Sequence, residues 1–152
     1  LGTQKKTVFQ ERLDDYMSMP HYQTDKNVTS ADMRSLMQQL EGREIVIVSL
    51  NGLSGYASRN FGITETERQF IKQLAARKKV ILVHFGNPYA LKYFDDLQWL
   101  INANDEDPLA QDVAAQAIFG AISMRGRLPV TAPLRNSRIP AIESICIGFL
   151  EV

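Results

Sequence analysis

Apolar positions along this chain alternate between a helical period and short unbroken runs. In "TVFQERLDDYM", Phe9, Leu13, Tyr16 and Met17 fall at helical spacing, and Thr7 with Gln10 forms a capping-box pair at the start. "PHYQTD" follows as a short extended candidate. In "TSADMRSLMQQLEG", Met33, Leu36, Met37 and Leu40 line one helical face; Thr29 or Ser30 caps it and Gly42 stops it. "REIVIVSL" is apolar, rich in β-branched residues and too short for a helix, which predicts a strand buried on both faces. "NGLSGYASRNFG" predicts a loop. "TETERQFIKQLAARK" predicts a helix with a Thr64/Glu67 capping box and a basic last turn.

The second half repeats the alternation. "KVILVHF" predicts a second buried strand, "PYALKYFDDL" a short helix after a turn, and "LQWLINAN" a third strand. "DEDPLAQDVAAQAIFGAISMRG" predicts a helix capped by Asp107, with Pro108 in its first turn and Gly126 at its end. "RLPVTAPLRNSRIP" reads as a loop and "AIESICIGFLEV" as a last strand. Strands separated by helices imply a mostly parallel sheet with helices on both faces. The fold class expected is therefore α/β, a three-layer sandwich. Such sheets usually open with a strand, whereas this chain opens on Leu1-Gly2 directly before a helix. The expectation is a single domain over residues 1–152, truncated at its first strand.

Composition narrows the function classes. The length of 152 residues suits one domain with a sizeable core. The 17 basic residues balance the 17 acidic ones, which leaves no electrostatic footprint for nucleic acid or anionic membrane. No apolar run approaches the roughly 18 residues of a membrane span, and "LGTQKKTVFQ" lacks a signal-peptide apolar core. The single cysteine, Cys146, excludes an intrachain disulfide and a thiolate zinc cluster, and its apolar surroundings predict an inert buried thiol.

Ligands of open α/β sheets bind beyond the carboxyl ends of the strands. Here those ends are "LNGLSGYASRNFG", "HFGNPYAL" and "NANDEDP". The first holds Gly52, Ser54 and Gly55, but Tyr56 breaks the G-x-S-x-G elbow, and no Lys-Ser or Lys-Thr pair completes a phosphate loop. Asp105, Glu106 and Asp107 have the chemistry to hold Mg²⁺, yet their place before Pro108 favours helix capping. His84, among apolar neighbours, reads as a structural histidine, and His21 has no partner at a motif spacing. In the Gly86-Asn87-Pro88 turn, Pro88 ends the strand and Gly86 is expected to supply a backbone angle closed to other residues. These readings assign no catalytic residue, no metal site and no cofactor.

Three segments in order, "VILVHFGNPYAL" (Val80 to Leu91), "AAQAIFGA" (Ala114 to Ala121) and "RGRLPVTA" (Arg125 to Ala132), resemble the C-terminal α/β sandwich domain of family-three glycoside hydrolases. The subgroup resembled is the two-domain β-N-acetylhexosaminidases. With flanking elements the resemblance covers about residues 30 to 132. It implies a flavodoxin-like sandwich packed on an N-terminal (β/α)₈ barrel that carries the catalytic residues. A barrel needs about 250 residues, so this chain does not include one. The tail "RNSRIPAIESICIGFLEV" has no counterpart in the resemblance.

The expected function is an accessory, non-catalytic domain of a glycosidase acting on β-linked N-acetylglucosamine-type sugars. Its partners would be the barrel of the same parent chain and, through it, a carbohydrate; a periplasmic or secreted parent is implied by the resemblance. The strand-end loops supply the candidate docking or cleft-bordering residues Asn51, Ser58, Arg59, Asn60, Asn87 and Tyr89. The alternatives are an autonomous flavodoxin-like module for a nucleotide or flavin, and a protein-interaction domain whose exposed face meets another chain.

Overall fold

The alternation of strand and helix periods produces a parallel sheet between two helical layers. A computed structural model describes residues 1–124 and 126. Among them, strands β1 (Ile45–Leu50), β2 (Lys79–His84) and β3 (Trp99–Asn102) pair in parallel in the order β1-β2-β3. The helices are α1 (Val8–Tyr16), α2 (Ser30–Gln39), α3 (Glu65–Ala75) and α4 (Pro108–Ile118). None is long and apolar enough to cross a membrane.

The pleat sends alternate side chains to opposite layers. Val48, Leu50, Val80, Leu82 and Leu100 pack against Met33, Leu36 and Leu40 of α2 and Phe70, Ile71 and Leu74 of α3. Val83, Phe85, Ile101 and Ala103 pack against Phe9 and Leu13 of α1 and the alanines of α4. Alanines at 110, 114, 115 and 117 leave little bulk between α4 and the sheet, so the space goes to Phe9 and Phe85, which meet edge to face at 5.5 Å. Each fully buried Leu or Phe contributes roughly 1.5–3 kcal/mol through burial.

Helix starts follow the sequence closely. Thr7, Thr29 and Thr64 each accept from the backbone three residues on, and Gln10, Asp32 and Glu67 each reach back to the cap. Asp107 caps α4 with Pro108 in its first turn, so the acidic cluster is spent at least in part on capping.

Elsewhere the structure corrects the sequence reading. The helix expected to run to Gly126 ends at Ile118, and Gly120 takes a φ of +70° just beyond the Phe119 cap. β1 is not covered on both faces along its length: Ile45 is 57% exposed, and Val46 and Ile47 are half-buried. "PHYQTD" contributes one isolated antiparallel bridge, Thr3 with Thr24. Two stretches expected as a loop and a short helix form 3₁₀ turns at Ala57–Gly62 and Pro88–Tyr93. The segment after Gly126, with the expected last strand, Cys146 and most of "RGRLPVTA", lies outside the described residues.

Candidate functional site

A buried polar cluster sits where the strands end. Asn51 follows β1, His84 closes β2 and Asn102 closes β3, and the parallel register sets His84 directly opposite Asn102. All three side chains are buried. His84 Nδ1 lies 2.7 Å from Asn102 Oδ1, and the Asn102 amide nitrogen donates to Asn104. An amide oxygen only accepts, so the His84 proton sits on Nδ1 and leaves Nε2 bare. Nε2 has no hydrogen-bond partner among the described residues. Burial pushes the imidazole down to about 4; the bond to Asn102 opposes this, and the charge of Lys26 adds to it. His84 is therefore neutral over the ordinary pH range.

Charged groups ring this core. Lys26 Nζ donates to both oxygens of Glu67, at 3.0 and 3.3 Å, and Glu67 is fully buried. Glu67 also accepts from the Thr64 backbone at 2.8 Å, so one carboxylate caps α3 and holds Lys26. Glu106 accepts from the Gly52 N–H at 2.6 Å, joining the loop after β3 to the loop after β1. The Asn51 amide donates to Leu1 O at 3.3 Å and Ser49 Oγ at 3.2 Å. The Leu1 nitrogen donates to Ser49 O at 2.7 Å.

The chemistry available here is limited. Among the described residues His84 has no carboxylate or nucleophile bonded to it, and its side-chain partner there is the Asn102 amide. No group of three His, Cys, Asp or Glu side chains suited to a metal ion occurs among the described residues. The cluster fixes loops, and the loops present a surface.

That surface carries most of the candidate docking residues. Ser58, Arg59 and Asn60 are exposed, with Tyr56 at 68% and Tyr89 at 53%. Asn87 ties the two loops together: its amide donates to Gly55 O at 3.2 Å, and its Oδ1 accepts from the Tyr89 backbone at 3.0 Å. Tyr93 donates to Asn60 at 3.2 Å, and the Arg59 guanidinium lies 5.8 Å from the Tyr56 ring centre. Asn60 and Phe61 both hold left-handed backbone angles, φ 50° and 56°, while Phe61 is buried. Burying Phe61 offsets a conformation that costs a non-glycine residue about 1–3 kcal/mol.

Two positions differ from the sequence reading. Asn51 is 1% exposed and binds Leu1 and Ser49, so it supports the surface from beneath and does not lie on it. Gly86 has no positive φ, so the expected backbone angle is absent; a side-chain carbon there would come within 2.9 Å of the Leu53 Cδ1 and would make that side chain shift. The sequence reading missed the Lys26–Glu67 pair, 41 residues apart, and the Glu106 contact to Gly52, 54 residues apart. The signal for the His84–Asn102 pair was present: both residues end apolar runs, and parallel strands ending together bring such residues side by side. Compared with protein-family models, with curated proteins and with solved structures, the chain finds no match in any of the three.

Proposed function

We propose that this chain is an accessory, non-catalytic sandwich domain of a family-three-like glycoside hydrolase acting on β-linked N-acetylglucosamine-type sugars. It docks on a (β/α)₈ barrel through the paired loops after β1 and β2. The observation that carries this reading is the exposed Tyr56–Arg59–Tyr89 surface, tied together by the Asn87–Gly55 bond. Exposed tyrosine and arginine on rigid loops are the residue types that anchor protein interfaces. The sandwich architecture and the ordered segments from Val80 to Leu91 and Ala114 to Ala121 support the family assignment.

The test combines activity and binding. The purified chain is assayed on an aryl N-acetylglucosaminide, then titrated with a barrel domain taken from a two-domain relative. The expected results are no turnover alone, binding to the barrel, and at least tenfold weaker binding for Tyr56→Ala with Tyr89→Ala. Turnover by the chain alone overturns the non-catalytic role, and binding indifferent to both tyrosines overturns the docking surface. FMN binding with a yellow chromophore would favour the flavodoxin-like ligand module instead.

A further inference from the structure

The outer edge of β1 lies open in a groove of about 410 Å³. Phe9, Leu13 and Met19 wall it on the α1 side, and Leu36 and Leu40 on the α2 side. In β1 the even-numbered residues turn their backbone groups to β2: Glu44 O accepts from Lys79 and Leu50 O from Phe85. The odd-numbered residues therefore face outward. The N–H groups of Ile45, Ile47 and Ser49 and the carbonyls of Ile45 and Ile47 have no hydrogen-bond partner there among the described residues. An unpaired row of this kind is a template for another strand.

One residue already occupies that template. Leu1 donates to Ser49 O at 2.7 Å and accepts from Asn51 N–H at 3.0 Å, the two bonds that a parallel strand makes opposite Leu50. We propose that the open edge of β1 receives one further strand, an extended apolar stretch of polypeptide joined to the Leu1 nitrogen and parallel to β1 in the register Leu1 sets. The residue two before Leu1 then donates to Ile47 O and accepts from Ser49 N–H. The residue four before donates to Ile45 O and accepts from Ile47 N–H. At about 3.3 Å per residue, five residues reach back to Ile45. Apolar walls on both sides require both faces of this strand to be apolar, as in a buried parallel strand. Two observations favour a joined strand over a separate peptide. Leu1 fills the last place of the ladder, and Asn51 clamps its carbonyl at 3.3 Å.

The experiment fuses a five-residue Val/Ile/Ala segment ahead of Leu1 and follows backbone amide hydrogen exchange by NMR. The expected result is exchange at Ile47 and Ser49 slowed at least tenfold relative to the unextended chain. Proline two places before Leu1 removes the N–H aimed at Ile47 and abolishes the slowing. Proline one place before, whose nitrogen faces away from β1, preserves it. Equal exchange with and without the segment overturns the proposal, as do two proline variants that behave alike. Protection in the unextended chain that rises with concentration alongside a doubled mass means a second copy closes the edge, and also overturns it.

Discussion

Lowering the pH should load a proton onto unfolded His84 long before folded His84 accepts one. The folded imidazole titrates near 4 and an ordinary one near 6.5. Between these values the unfolded chain holds one more proton, so acidification favours unfolding with a slope of about 1.4 kcal/mol per pH unit. Integrated from pH 7.5 to 4.5, His84 alone removes about 2.5 kcal/mol of stability. That is a large share of the roughly 5–15 kcal/mol that holds a typical domain folded. The control is His84→Asn, which keeps a donor toward Asn102 and does not titrate. The variant starts less stable at neutral pH, because truncating a buried ring leaves a void. Urea unfolding of both proteins, in half-unit steps across this range, reads the difference directly. The stability gap should shrink by about 2.5 kcal/mol on acidification. A gap constant to within about 0.5 kcal/mol would refute the assignment of a buried neutral His84.

Two further outcomes bear on the ring around the cluster. Lys26→Met leaves the buried Glu67 carboxylate without its cation and should cost roughly 2–3 kcal/mol, less than a fully desolvated pair because Lys26 is partly solvated. Adding Glu67→Gln should recover most of that loss in urea unfolding, and a Lys26→Met cost below about 0.5 kcal/mol would mean that water already serves the carboxylate. Gly62→Ala places a side-chain carbon 2.8 Å from Ser54 N at a φ of +76°, so it should destabilise by about 1–3 kcal/mol and lower the melting temperature. An unchanged melting temperature would show that the loop relaxes around the new methyl.

The caps and strands were legible because their signals are local. Thr7 with Gln10, Thr64 with Glu67, and Asp107 before Pro108 each declare a helix start within four residues. The end of α4 was less plain, since apolar residues continue past Gly120 through Ile122 and Met124 and carry the helical pattern beyond the true stop. An apolar β-branched run announces a strand but not how many neighbours it has, which is why β1 was read as fully enclosed. Glu67 shows the limit most sharply. Its capping role follows from Thr64, yet its second partner, Lys26, comes from a loop 41 residues earlier that carries no periodic pattern. Likewise Asn51 offers the same local features as Asn87, and only the path of the Leu1 segment decides that one is buried and the other half-exposed.

The contacts also differ in how much chain each must loop to form. β2 meets β3 with a separation of 18 residues, Ile81 opposite Trp99, and β1 meets β2 with 34, Ile45 opposite Lys79. The seam between α1 and α4 spans far more: the Phe9 N–H reaches Gln111 Oε1 across 102 residues, at 3.2 Å. Closing that longer loop costs roughly 1.5 kcal/mol more than closing the shortest. By loop length alone, the three strands close at the smaller entropic cost and the α1–α4 seam at the larger. Phe9 and Leu13 are what α1 brings to the sheet, so truncating them bares Val83, Phe85 and Ile101 without touching the pairing of the three strands.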